Sequence, residues 1–203
     1  MYQKGLRTAN GLTFIRTPRL MLGRSMIRIL AVLSLAVVSL SLLSAQQTST
    51  TPQNPCAAPQ QKQFDFWVGE WDLTWPGEKP GETGHGTNSI KRTMDGCVVQ
   101  ENFSGTDSMH LRGTSVSTFD VRSGHWKQTW VDNEGGYLDF AGDFNSRQMI
   151  LQREFSQKDG TRIMQRMVWK NITANEMDWS WEASRDGGKT WQVNWPIHYK
   201  RKS

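Results

Sequence analysis

The chain has 203 residues, with ten tryptophans, 36% hydrophobic residues and a formal net charge of +5. That charge would ordinarily favour nucleic acid, but Lys4, Arg7, Arg16, Arg19, Arg24 and Arg28 all lie in residues 1–45, which contain no acid. Taking those six cations from 24 leaves 18 against 19 acidic groups, a net of −1, so the remaining chain offers no excess of cations for phosphate. About 158 residues remain beyond that segment, which suits one domain with a core of its own.

The first predicted element is a leader. Arg24 and Arg28 precede an uncharged apolar run, Ile29–Leu43, which ends in Ser44-Ala45. A basic start, an apolar centre and a small residue at the cut describe a signal peptide over 1–45, with Met21 or Met26 as alternative starts. The run is short for a membrane span, which needs about 20 apolar residues; an uncleaved anchor is the alternative. Residues 46–63, rich in Gln, Pro, Thr and Ser, read as a flexible lead-in to a domain over 64–203. Cleavage near Ala45 would place that domain in the periplasm or outside the cell, with no stable membrane insertion of the mature chain. In such a compartment Cys56 and Cys97 are expected to form a disulfide, with two free thiols as the alternative.

Phe64-Asp-Phe-Trp-Val-Gly-Glu-Trp-Asp-Leu73 reads as the first, heavily buried strand of an antiparallel barrel, entered through one helical turn around Gln63–Val68. Alternating strands are then predicted at Glu70–Trp75, Gly86–Met94, Cys97–Gly105, Arg112–Val121 and Trp126–Asp132. They continue at Tyr137–Phe144, Gln148–Ser156, Thr161–Ile172, Glu176–Ser184 and Thr190–Arg201. The turns between them carry Asp95-Gly96, Ser123-Gly124, Gly135-Gly136, Asp159-Gly160 and Gly187-Gly188. A meander of about ten strands removes its own edges by closing, so the expected fold is all-β, a single antiparallel up-and-down barrel. A two-sheet sandwich is the alternative.

The C-terminal hairpins add a register. A turn at Thr173-Ala174-Asn175 pairs Trp169 with Trp179 and Met167 with Trp181 on one face, and Arg166 with Glu182 and Lys170 with Asp178 on the other. One face is apolar and the other charged, as in a sheet with one buried side. A second turn at Asp186-Gly187-Gly188 puts Trp191, Val193 and Trp195 on the same inner face. Trp126, Gln128 and Trp130 add to it from another strand. The candidate ligand-binding residues are therefore Trp126, Gln128, Trp130, Gln165, Trp179, Trp181 and Tyr199, apolar walls with a few polar groups. The expected function is capture of a small, largely apolar molecule; the alternative is a structural or interaction module with a filled core. Protein partners are not legible.

Four motifs follow one another in order: the Phe64–Leu73 stretch, Asp95-Gly-Cys-Val-Val-Gln-Glu101, Trp126-Lys-Gln-Thr-Trp-Val-Asp132 and Ser184-Arg-Asp-Gly-Gly-Lys-Thr-Trp191. Over Cys56 to Arg201 this succession resembles a family of small secreted bacterial proteins of unknown function with a lipocalin-like barrel. Gly69-Glu70-Trp71 with Lys200-Arg201-Lys202 is also similar to the calycin arrangement of lipocalins and fatty-acid-binding proteins. That similarity implies a last-strand cation over the first-strand Trp, supplied by one of the three. It implies no catalytic residues.

Other chemistries fit poorly. Ser184–Trp191 matches the Asp-box of propellers once, which reads as a turn in which Asp186 caps backbone N–H groups. Glu101, Asp132, Asp139 and Glu182 are carboxylates that a hydrolase would need in one cleft, and no nucleophile elbow, zinc motif or phosphate loop accompanies them. The histidines, His85, His110, His125 and His198, are scattered, and no metal or other cofactor is implied. Barrels of the nitrobindin type hold haem by a late histidine, but the alternation turns His198 outward, away from Trp195, Ile197 and Tyr199.

Overall fold

A computed structural model describes residues 55–106, 109–145 and 147–203. The leader over 1–45 and the first part of the lead-in, 46–54, lie outside the described residues. The strands are β1 (Gly69–Pro76), β2 (Thr83–Thr93), β3 (Val98–Gly105), β4 (Arg112–Asp120) and β5 (His125–Asp132), then β6 (Tyr137–Phe144), β7 (Met149–Ser156), β8 (Arg162–Lys170), β9 (Glu176–Ser184) and β10 (Gln192–Arg201). Each pairs antiparallel with its neighbours in sequence, and β10 pairs with β1, so the described strands form one closed up-and-down barrel. A closed barrel leaves no strand edge to recruit another chain.

Alternation sorts the side chains. β1 buries Trp71, Leu73 and Trp75 and exposes Glu70, Asp72 and Pro76 in alternation with them. On the β8–β9 hairpin Trp169 pairs with Trp179, Met167 with Trp181 and Arg166 with Glu182, as the sequence pattern requires. Nine of the ten tryptophans join the core cluster.

Trp191 is the exception, and it corrects the expected inner face of β10. The register shifts between Val193 and Trp195: Val193 sits opposite Glu182, Trp195 opposite Trp181. This irregularity returns Trp195 to the inside and leaves Val193 half exposed on the outside. The Arg166 guanidinium lies 4.0 Å from the Trp191 ring centre, on the outer face that Arg166 shares with Glu182.

One end of the barrel is closed by the segment before β1. Phe64–Val68 is a run of tight turns where one helical turn is expected, and strand begins only at Gly69; Trp67 N–H donates to Phe64 O and Val68 N–H to Asp65 O. These turns drive Phe64 and Trp67 into the barrel, where Phe64 meets Trp126 edge-on at 4.8 Å and Trp169 at 5.3 Å. Edge-to-face pairs of this kind contribute about 0.5–1.5 kcal/mol each beyond area burial. Before them, Pro55–Ala57 and Pro59–Lys62 form short 3-10 helices, Gln61 is buried, and a Cys56–Cys97 disulfide ties the segment to the β2–β3 turn. Arg92 adds an ion pair to Asp65 at 2.6 Å.

Arg201 completes this floor. Of the three terminal cations it is the one over Trp71, 4.1 Å from the ring centre, and it donates to Val68 O at 2.8 Å and Phe66 O at 3.2 Å. Gly69 has φ +139°, and a Cβ there would collide with the Arg201 guanidinium. The Gly-x-Trp spacing thus has a local cause: the glycine makes room for the cation that packs on the tryptophan two residues later.

Candidate functional site

Above the floor the barrel is not filled. A cavity of about 270 Å³ extends towards the opposite end. Trp130, Trp169, Trp179, Trp181 and Trp195 wall it together with Phe103 and Phe140. Leu111, Leu138, Met167 and Ile197 supply the aliphatic surface. The rings interlock: Trp179 meets Trp195 at 5.8 Å, Phe140 meets Trp181 at 5.7 Å and Phe103 meets Trp195 at 5.9 Å, all edge-on. Gly113 of β4 lies under the Trp130 indole, where any Cβ would strike the ring. A dry cavity of roughly 150 Å³ holds benzene, so this one admits a somewhat larger molecule.

Three polar residues line it: Glu101, Tyr199 and Asp132. Glu101 projects inward from β3 between Val99 and Phe103 and is only 7% exposed. Its Oε1 accepts from Asn88 Nδ2 at 2.7 Å and its Oε2 from Ser115 Oγ at 2.7 Å. Burial pushes the Glu101 carboxyl up to about 7, with these two hydrogen bonds opposing the shift. Asn88 also donates to the Tyr199 hydroxyl at 3.2 Å, and the Tyr199 phenol is raised by its own burial and then by the charge of Glu101. Asp132 accepts from Trp130 Nε1 at 2.9 Å and from the backbone of Gly136 at 2.7 Å, and the indole bond leads in holding it below the usual carboxylate range. The buried Nε1 atoms of Trp169 and Trp195 have no hydrogen-bond partner.

Of the residues expected to bind a ligand, Trp130, Trp179, Trp181 and Tyr199 line this cavity. Trp126 does not: it is fully buried in the floor against Phe64 and Phe119, donating to Gln63 Oε1 at 3.0 Å. Gln128 is spent on Ser117 Oγ at 2.8 Å and lies off the lining. Gln165 is half-buried opposite Arg153 and Ala183, also off the lining. Trp169 and Trp195, which the hairpin registers put on the inner face, also line the cavity, whereas sequence reasoning left out Phe103 and Phe140 as lining residues and Glu101 as their polar companion. The signal for Glu101 was its phase, a carboxylate at an apolar position of an alternating strand.

The four candidate carboxylates separate. Glu101 and Asp132 line the cavity, whereas Asp139 accepts from Thr129 Oγ1 in an exposed pair and Glu182 bonds Arg166 and Ser180. Asp186 caps its turn, accepting from the Thr190 hydroxyl at 2.6 Å and from the backbone of Thr190 and Lys189, and the hydroxyl leads in lowering it to about 2. His198 is exposed and bonded to Asp178 at 2.8 Å, and His125 to Asp143 at 2.8 Å. Among the described residues no group of three or more His, Cys, Asp or Glu is placed to hold a metal ion.

The sequence matches no protein-family model and no curated protein. What is established of the expected kinship is therefore the closed antiparallel barrel itself.

Proposed function

We propose that this protein is a binding barrel that takes a small, largely apolar molecule into its tryptophan-lined cavity. The observation that carries the reading is the cavity of about 270 Å³ with five indoles and two phenyl rings around it and a few polar groups among them. Mostly apolar walls with sparse, fixed polar groups are the usual form of a small-molecule site. Filling the space with side chains would have added stability, so an unfilled, ring-walled interior favours binding over a purely structural role.

The compartment belongs to the same proposal. The expected leader and the Cys56–Cys97 disulfide support a secreted or periplasmic protein, in line with the secreted family that the four ordered motifs resemble. The outer face carries charge at Glu70, Asp72, Lys91 and Lys127 while the rings point inward, the reverse of a membrane barrel. The test is a titration of the mature, delipidated chain with butylbenzene, followed by tryptophan emission. Saturable one-to-one quenching is expected; a linear response without saturation contradicts a binding cavity.

A further inference from the structure

The charge of the cavity lining narrows the ligand class, given the reading that the cavity binds a ligand at all. Its ionisable residues are Glu101, Asp132 and Tyr199, all of them acids, and it contains no Lys, Arg or His. Other cations lie off the lining. Arg153 of β7 lies 4.9 Å from the Phe155 ring centre and 6.0 Å from that of Phe140, its Nη1 buried without a hydrogen-bond partner; Arg201 lies on Trp71 at the floor; Arg166 pairs with Glu182 outside.

Glu101 is thus a buried carboxylate held by neutral partners alone, one amide and one hydroxyl. Burying an anion without a cation is costly, several kcal/mol even after relaxation. A carboxylate keeps acceptor capacity beyond the two bonds already made. Around it stand five indoles and two phenyl rings, side chains that attract a cation wherever a ring face meets it. A buried carboxylate without a cationic partner disfavours an anion in this space and favours a positive charge.

We propose that the cavity selects an organic ammonium ion: an apolar body bearing a cationic nitrogen, charge-paired with Glu101 and enclosed by the indoles. Binding such an ion stabilises the ionised carboxylate, so ligand uptake is coupled to proton loss from Glu101. The groups that face Glu101 from the packed strands are Asn88 of β2, Ser115 of β4 and Tyr199 of β10, with Asp132 of β5 further along the lining and Arg153 of β7 beyond Phe140. Asp132 is shifted down and Tyr199 up, so between pH 5.5 and 8 Glu101 is the lining group that changes charge.

Two probes of one shape test this: benzyltrimethylammonium, whose charge does not change with pH, and neopentylbenzene, its neutral carbon isostere. Isothermal titration of the mature chain should show the cation bound at least about tenfold more tightly than the isostere at pH 8. Its affinity should fall about 30-fold from pH 8 to 5.5 as the ionised fraction of Glu101 drops, while the isostere's affinity does not fall. Glu101→Gln keeps the size and turns one acceptor into an NH2 donor, which the Ser115 hydroxyl can accept; it should lower cation affinity at pH 8 at least about tenfold, flatten its pH profile and leave isostere binding intact. The pH profile of the unaltered chain stands even if that variant fails to fold. An isostere that binds as tightly as the cation at pH 8, or a cation affinity indifferent to pH, overturns the ammonium assignment and leaves the binding cavity standing. Failure of both probes to bind overturns both.

Discussion

The two ends of the barrel use the same residue type for opposite purposes. At the floor, Trp71 and Trp126 are fully buried and their indole N–H groups are spent on Trp67 O and Gln63 Oε1. The floor is tied further by Arg201 and by a disulfide. Towards the other end, Trp130, Trp179, Trp181 and Trp195 are only partly buried and stand around open space. A tryptophan-rich interior is therefore not one core. Packed rings close the barrel at one end, and at the other they stand around the cavity on which the proposed function rests.

Substitutions should separate the two regions, beginning with the largest effect. Trp71→Ala removes a fully buried ring from beneath Arg201 and is expected to cost about 3–5 kcal/mol in urea unfolding; a loss below about 1 kcal/mol would mean the floor is not the stabilising element. Replacing Cys56 and Cys97 together by Ser opens a bridge spanning 41 residues. Chain entropy sets that loss at about 2–4 kcal/mol. The barrel should stay folded by near-ultraviolet circular dichroism, while the lead-in becomes sensitive to protease.

Glu101 gives a pH test of the cavity end. Its folded carboxyl is raised to about 7 from 4.5, so between those values the native chain holds a proton that the unfolded chain has released. The corresponding stability is fully present below about pH 4.5 and is lost as pH rises to about 7, on the order of 3 kcal/mol in all. Glu101→Gln should remove that slope from a series of unfolding midpoints; an unchanged slope would place its origin elsewhere. Smallest is Trp130→Phe at the cavity wall, expected to cost about 1 kcal/mol while weakening ligand uptake severalfold. Equal losses for Trp71→Ala and Trp130→Phe would erase the division between the ends.

Much of this fold was legible because alternation and turn chemistry agree. Tyr137–Phe144 and Glu176–Ser184 fall where the pattern placed them, and the Trp169–Trp179 register follows from the turn after Ile172. Two features escaped for physical reasons. An irregularity between Val193 and Trp195 shifts the phase of a strand without any marker residue, so Trp191 and Val193 were assigned to the wrong face. The Phe64–Trp67 turns fill one end of the barrel, which makes Trp126 a floor residue rather than a wall of the cavity, and no single-strand pattern reveals that long-range contact. Glu101 stood in the sequence only as one of four candidate carboxylates, because its partners Asn88 and Ser115, and Tyr199 beyond Asn88, come from three other strands.

The central claim is that the cavity is built to be occupied. Native mass spectrometry of the protein, purified without detergent, tests it most directly. The account predicts a reproducible extra mass, one small molecule per chain, released on denaturation and lost when Leu138→Trp fills the cavity wall. A bare protein mass in every preparation, with Leu138→Trp no different from the unaltered chain, would contradict it.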